Sequence, residues 1–331
     1  MSYWPEAMEN QRRDGPLQIK RCIAVMTAAF WILTALSGCS AKPQREDTAS
    51  VQVVASFYPM YVAAANLVDG VDGVQLTNLT QPTTGCLHDY QLSPQELMSL
   101  ETADCLLING AGMESFLDKV MDNYPELNIV TASDGIDMME GEGHDHDHDH
   151  AEGDVHNPLE EETVNPHVWV SISRYMQYVE NIRDGLIAAD PAHTQQYQDN
   201  ASAYLEKIQR LKDEMHEALD HVSHRDIITF HEAFDYFAQE FDLHVVGVIQ
   251  REPGTDPTAR ELVDIIETVK STDCKALFVE PQYSSGVADT IARETGAQIY
   301  MLDPAVSGDT DKDAYLRAMD QNLQVLLEAL A

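Results

Sequence analysis

"DPAHTQQYQDNASAYLEKIQRLKDEMHEALDHV", Asp190 to Val222, decides how the chain is organised. Tyr204, Ile208, Leu211, Met215, Ala218 and Val222 follow one another at intervals of three and four, the signature of one apolar stripe on an α-helix. No glycine and no internal proline breaks the run. Asp190 is a good N-cap and Pro191 suits the first turn. A helix of about 30 residues spans roughly 45 Å at 1.5 Å per residue. That exceeds an ordinary crossover inside one domain, so the stretch 191–222 reads as a stiff strut between two lobes. An amphipathic helix packed along one lobe over much of its length fits the same pattern.

Strand and helix alternate on either side of it. "VQVVASF" (51–57), "VQLTNLT" (74–80), "DCLLING" (104–110) and "NIVTAS" (128–133) read as strands, with helices expected in "SPQELMSLETA" (93–103) and "ESFLDKVMDNY" (114–124). At Ser93 a cap, Pro94 at the first helical position and Glu96 form a capping box. "DIITF" (226–230), "LHVVGVI" (243–249), "KALFVE" (275–280) and "AQIYML" (297–302) repeat the scheme. Alternation of this kind predicts an α/β fold with a mostly parallel four-stranded sheet, flanked by helices, in each lobe. The expected division is a lobe over 51–190, the linking helix over 191–222 and a second lobe over 223–331.

Acids outnumber bases 56 to 20, a net charge of −36. Phosphates would be repelled, so nucleic acid is not an expected partner. A cationic ligand suits this balance, although high charge also serves solubility alone. At the start, Arg12, Arg13, Lys20 and Arg21 precede the apolar run "CIAVMTAAFWILTAL" (22–36), and "LSGC" (36–39) follows. A basic region, a short apolar core and small residues before a cleavage point describe a secretory signal over 1–39. Leu-Ser-Gly-Cys resembles a bacterial lipobox, in which Cys39 becomes the lipidated first residue, with 40–50 as a polar tether. A plain signal anchor with an incidental cysteine is the weaker reading. Cys86, Cys105 and Cys274 then remain, too few for a disulfide scaffold. One bridge can form outside the cell, and its partners are not readable from sequence.

"GEGHDHDHDHAEGDVH" (141–156) is histidine, acid and glycine with almost nothing to bury. It reads as a disordered loop, within 140–163, whose His144, His146, His148, His150 and His156 collect metal ions. A solvated acidic loop or a purification tag would look similar, but tags sit at termini. Three other histidines sit in short motifs at strand ends or connecting loops: His88 in "TTGCLHDYQLSP", His167 in "NPHVWVS" and His231 in "IITFHEAFDYF". Ligands of open α/β sheets bind at the carboxyl ends of strands. Two such ends facing across a cleft would bring these histidines together, and three imidazoles suit Zn2+ with an open or carboxylate fourth position. Taken singly, each would more often be a hydrogen-bonded structural residue. His193, His216, His221, His224 and His244 read as surface or packing residues.

The motifs "HDYQLSP", "NPHVW", "FHEAFDYFA" and "FVEPQYSS", with the His/Asp loop, resemble the metal-binding component of an ABC importer, in its zinc-specific branch. The resemblance runs in order from Val51 to the C-terminus. It implies two α/β lobes joined by one long helix, a single metal between them, and a lipid-anchored, extracytoplasmic monomer that serves a permease and its ATPase. His88, His167 and His231 are the implied ligands. Manganese-binding relatives tend to carry a carboxylate at the third position, so histidine there points to zinc, with Mn2+ or another divalent ion as the alternative. Asp303 in "MLDPAVSG" is the implied fourth ligand, with water as runner-up. Leu87 stands where some zinc members place a glutamate. Glu280 at its strand end is expected to orient a ligating histidine. Asn165 stands where aspartate is usual, so its hydrogen bonding is expected to differ. Cys86, two residues from His88, is a soft potential ligand, with a disulfide to Cys105 or an idle thiol as alternatives. An adhesin with structural zinc fits as an added role. A zinc hydrolase does not fit, because "HEAFD" carries Asp235 where an HExxH helix needs its second histidine.

Overall fold

The computed structural model describes residues 50–84, 87, 90–117, 121, 123–141, 164–249, 257–272, 274–282 and 285–331. In chain order the elements are β1 (Val51–Ala55), α1 (Tyr58–Leu67), β2 (Val74–Asn78), α2 (Pro94–Glu101), β3 (Cys105–Ile108), β4 (Asn128–Thr131), α3 (Ile172–Ala189) and α4 (Thr194–Leu219). Then come β5 (Asp226–Thr229), α5 (Asp235–Glu240), β6 (His244–Val248), α6 (Ala259–Thr272), β7 (Ala276–Val279), α7 (Ser285–Thr295), β8 (Gln298–Met301) and α8 (Ala314–Ala329). Each strand falls inside the stretch expected for it. The two sheets are parallel throughout and share one order, β2-β1-β3-β4 and β6-β5-β7-β8.

Alternate residues of the central strands go to different cores, as a period of two requires. Val53, Ala55, Cys105 and Leu107 face one large core, while Val54 and Leu106 face a smaller one on the other side of the first sheet. In the second sheet Ile227, Ala276 and Phe278 face that same large core, and Ile228, Leu277 and Val279 pack with α6 and α7. The large core therefore runs through both lobes. Helices α3, α4 and α8 fill it with Tyr175, Tyr178, Tyr197, Tyr204 and Tyr315, all fully buried.

The long helix is packed along its length and is not a bare strut. Tyr197, Ala201, Tyr204, Ile208, Leu211, Met215 and Leu219 are buried, and α4 lies against α1, α3 and α8. Asp190 does not cap it as expected. A 3-10 turn, Pro191–His193, precedes the helix, and the Asp190 carboxylate accepts from the Tyr197 hydroxyl at 2.9 Å and contacts His193 Nδ1 at 2.6 Å. Proline directly after Asp190 makes the chain reverse between two packed helices, which turns the carboxylate inward. The capping box at Ser93 forms as expected. In the stretch 114–124 a 3-10 turn, Ser115–Leu117, is described first, Met121 is helical, and residues 118–120 and 122 lie outside the described residues. Phe116, Leu117, Met121 and Tyr124 pack against the smaller core. Cys105 and Cys274 are free, buried thiols, and Cys86 lies outside the described residues. No helix among the described residues is long and apolar enough to cross a membrane.

The loop after β3 carries structure toward the site. Gly110, Ala111 and Gly112 all take positive φ, and a Cβ on Gly110 would lie 2.5 Å from the Thr131 side chain, so glycine is required there. This turn brings the buried Glu114 carboxylate back to accept from Ser56 Oγ at 2.6 Å, Asn109 N at 2.7 Å and Gly110 N at 3.0 Å. Asn109 Nδ2 in turn donates to Pro166 O at 3.0 Å, one residue before His167.

Burial pushes the Glu114 carboxyl up to about 7, against the pull of those three hydrogen bonds. The native state then holds a proton that the unfolded chain has already released. Stability from this group is greatest in acid and declines as pH rises from about 4.5 to about 7, on the order of 3 kcal/mol in all. Denaturant unfolding across that window should show the decline in the parent, and Glu114→Gln should flatten it. An unchanged slope in the variant would show that other groups cause it.

Candidate metal centre

The second sheet reverses its strand order at β5 and β7, and ligands of such sheets gather at that switch point. The chain leaves β5 through Phe230 into His231, and leaves β7 directly into Glu280. Asp303 follows two residues after β8. From the first lobe, His167 sits in the segment that enters α3, ahead of a 3-10 turn, Val168–Val170.

His167 and His231 meet. Both are fully buried, and their Nε2 atoms lie 3.0 Å apart, with ring centroids 4.7 Å apart and planes at 88°. Two Zn–N bonds of about 2.05 Å at the tetrahedral angle would hold their nitrogens roughly 3.3 Å apart. The pair therefore already has nearly the spacing of two donors on one ion. His167 Nδ1 contacts Asn165 Oδ1 at 2.8 Å, and an amide oxygen only accepts, so Nδ1 carries the hydrogen. Nε2 is then left as the lone-pair nitrogen that a metal ion takes. The same Asn165 Oδ1 accepts from His167 N at 3.0 Å, an Asx turn.

Two further carboxylates, the buried Glu280 and the half-buried Asp303, are coupled by charge. Glu280 is fully buried; its Oε2 accepts from Gln282 Nε2 at 2.7 Å, and its Oε1 has no hydrogen-bond partner among the described residues. Its recorded partner is thus a glutamine and not a histidine. Asp303 Oδ1 accepts from Ala305 N at 2.8 Å, and its backbone N and O are both held by the buried Asn322 at 2.8 and 2.7 Å. Burial raises the Asp303 carboxyl above the usual range. Burial first and the Asp303 charge second raise Glu280 well above it. The same charge adds to burial in pushing the Tyr58 hydroxyl, on the first lobe, up to about 12. Asp303 therefore acts on groups of both lobes.

The segment after Asp303 is fastened to the first lobe. Pro304 O accepts from the Trp169 indole at 2.8 Å, Gly308 N donates to Pro82 O at 3.1 Å, and Asp309 O accepts from the Tyr58 hydroxyl at 2.7 Å. Gly308 has φ +153°, and a Cβ there would stand 2.6 Å from the Tyr58 hydroxyl. Asn66 Nδ2 closes the far end on Lys312 O at 2.7 Å.

The structure thus brings His167 to His231 and brings Glu280 under the influence of Asp303. Among the described residues no group of three histidine, cysteine, aspartate or glutamate side chains is gathered for a metal ion. His88, Cys86, Cys39 and the run His144, His146, His148, His150 and His156 lie outside the described residues. Reading the sequence by motif did not foresee Asp235, Trp169 or Tyr236 as supports of the site. The Asn-x-His spacing is the one signal that was available, because it permits an Asx turn.

Two parallel four-stranded sheets on either side of a long helix are the architecture of two-lobed solute-binding proteins. The family model described as ZnuA, zinc-uptake complex component A periplasmic, matches residues 53–329, and the chain belongs to that family. A curated relative, the zinc-binding lipoprotein AdcA of Streptococcus pneumoniae, is 29% identical over 319 residues. That match takes in 93% of this chain, which spans only 60% of the length of AdcA. The high-affinity zinc uptake system protein ZnuA of Bacillus subtilis is also 29% identical, over 92% of this chain and 96% of its own. Among solved structures, the solute-binding protein FpvC of Pseudomonas aeruginosa, in complex with Mn2+, superposes with a TM-score of 0.72. It is 26% identical and covers 85% of this chain and 98% of its own.

Proposed function

We propose that this protein captures Zn2+ outside the cytoplasm and hands it to an ABC permease for uptake. The observation that carries the reading is the pair of buried Nε2 atoms 3.0 Å apart, in a chain that the zinc-uptake family model matches from 53 to 329. The proposed ligands are His167 and His231, with His88 as the third and Asp303 or water as the fourth. Imidazole nitrogen suits zinc, while carboxylate-rich shells suit manganese, so a histidine set favours zinc over the Mn2+ that FpvC holds. The matched family is a transport component and not an enzyme. Glu280 is proposed to support the site as a buried carboxyl whose proton affinity burial and the Asp303 charge raise. The lobes are proposed as 51–190 and 223–331, with 191–222 between them. Cys39 is proposed as the lipid anchor of a monomer, and the 141–156 run as an auxiliary collector.

Calorimetric zinc titration of the protein without residues 141–156 tests the ligand set. His88→Ala, His167→Ala and His231→Ala should each weaken binding by orders of magnitude, because the remaining donors cannot complete the shell. A variant that keeps parental affinity removes its residue from the set. Asp303→Ala should weaken zinc less than any of them, since water replaces a carboxylate oxygen.

Removing 141–156 should itself lower the stoichiometry to one ion and leave the tight step intact. A run with so little apolar surface in its composition would be ordered by each ion it binds, which lowers its affinity. Loss of the tight step with the run would make it part of the primary site.

Cys39→Ala should leave the precursor unprocessed or release the protein from the membrane fraction. A variant that is processed and still membrane-bound would refute the anchor.

A further inference from the structure

The Asn165 amide uses its whole hydrogen-bonding capacity at the meeting of the two lobes. Oδ1 accepts from His167 Nδ1 at 2.8 Å and from His167 N at 3.0 Å. Nδ2 donates to Glu232 O at 2.8 Å and to Asp235 Oδ2 at 2.9 Å. The main chain of the same residue is fixed as well, with N donating to Met139 O at 2.9 Å and O accepting from the Tyr236 hydroxyl at 2.6 Å. The residue is fully buried, so none of these bonds competes with water.

The orientation of this amide is forced. The Glu232 carbonyl and the Asp235 carboxylate only accept, so the NH2 group must face them and the oxygen must face His167. Glu232 and Asp235 stand one and four residues after His231. One side chain therefore holds the tautomer of one histidine and the turn that follows the other. No carboxylate can do both, because an aspartate at 165 would set two acceptors against each other 2.9 Å apart in a buried place. A carboxylate bonded directly to a histidine raises its strength as a metal donor. Here the carboxylate of Asp235 acts one residue removed, through the amide, so His167 feels a polarised dipole and not a full charge.

We propose that Asn165 is the positioning residue that couples His167 to His231, and that its amide, interposed before Asp235, sets how tightly the pair grips and how fast it releases zinc. This rests on reading both histidines as zinc donors. The full chain with Asn165→Asp, Asp235→Asn, the exchanged pair Asn165→Asp/Asp235→Asn, and His167→Ala should be compared. The readouts are zinc affinity, zinc release into a chelator, and the metal-free melting temperature. Asn165→Asp should lower the melting temperature and weaken zinc about 10–100-fold, the range for lost outer-shell partners. The exchanged pair should recover part of the melting temperature, since aspartate accepts from His167 and asparagine donates back to it, while the Glu232 carbonyl stays without its donor. It should also bind zinc about tenfold more tightly than the parent and release it more slowly, because the full charge now lies on His167. Recovery of melting temperature with parental affinity and release rate would leave Asn165 a structural residue and overturn the proposal. So would parental behaviour of Asn165→Asp, or failure of the exchanged pair to recover either property. If His167→Ala keeps parental zinc affinity, the ligand reading itself fails, a result separate from all of these.

Discussion

The hydrogen bond from His167 Nδ1 to Asn165 Oδ1, 2.8 Å long and fully buried, is the contact on which the site depends. Two imidazoles with their Nε2 atoms 3.0 Å apart, out of reach of water, form a site only if the lone pairs are held in place. A ring free to change tautomer or to turn would satisfy itself elsewhere, since a buried polar atom without a partner costs about 1–3 kcal/mol. Asn165 removes that freedom, and the lobes meet around it. Ser171 and Ser173, at the start of α3, both donate to the Glu240 carboxylate at the end of α5. Arg174 lies over the Tyr236 ring at 4.6 Å and bonds Gln239.

The packing explains why these contacts hold. The first lobe, α5 and α8 contribute to one continuous core, so His231 and Asp303 are mounted on surfaces already fused to the first lobe. What lies apart is the outer face of the second sheet, where α6 and α7 close a small core of their own. A scaffold joined in this way holds the two imidazoles in place, and a preformed arrangement lowers the ordering cost of any binding there. It contrasts with the His/Asp run, whose composition gives it no apolar surface to order it.

Much of this was legible in the chain. The strand stretches were found because buried parallel strands are continuously apolar and β-branched, and "ALFV" and "CLLI" have no other economical reading. The stripe from Tyr204 onward marked the long helix because 3.6-residue periodicity survives any context. The Ser93 box formed because its bonds are local. Asp190 did not cap, because a neighbour seven residues on, the Tyr197 hydroxyl, offered its carboxylate a buried bond. At the start of the stretch 114–124 Glu114 stays outside any helix because its carboxylate is committed to the amides of the β3 loop, and a 3-10 turn at Ser115 follows it.

The sequence by itself determined the parallel α/β class, the repeated strand-and-helix scheme and the long helix. All of these rest on periodicity, local capping or residue chemistry, which neighbours along the chain suffice to set. Only the tertiary structure decided that the helix is packed and not bare, that Cys105 stays free, and that Asn165 faces His167 with one end and Asp235 with the other. The contacts of Asn165 with Asp235 and of His167 with His231 join groups 70 and 64 residues apart that only the fold buries side by side. A buried polar atom takes whatever partner the fold brings to it, and that choice is made across the lobes and not along the chain.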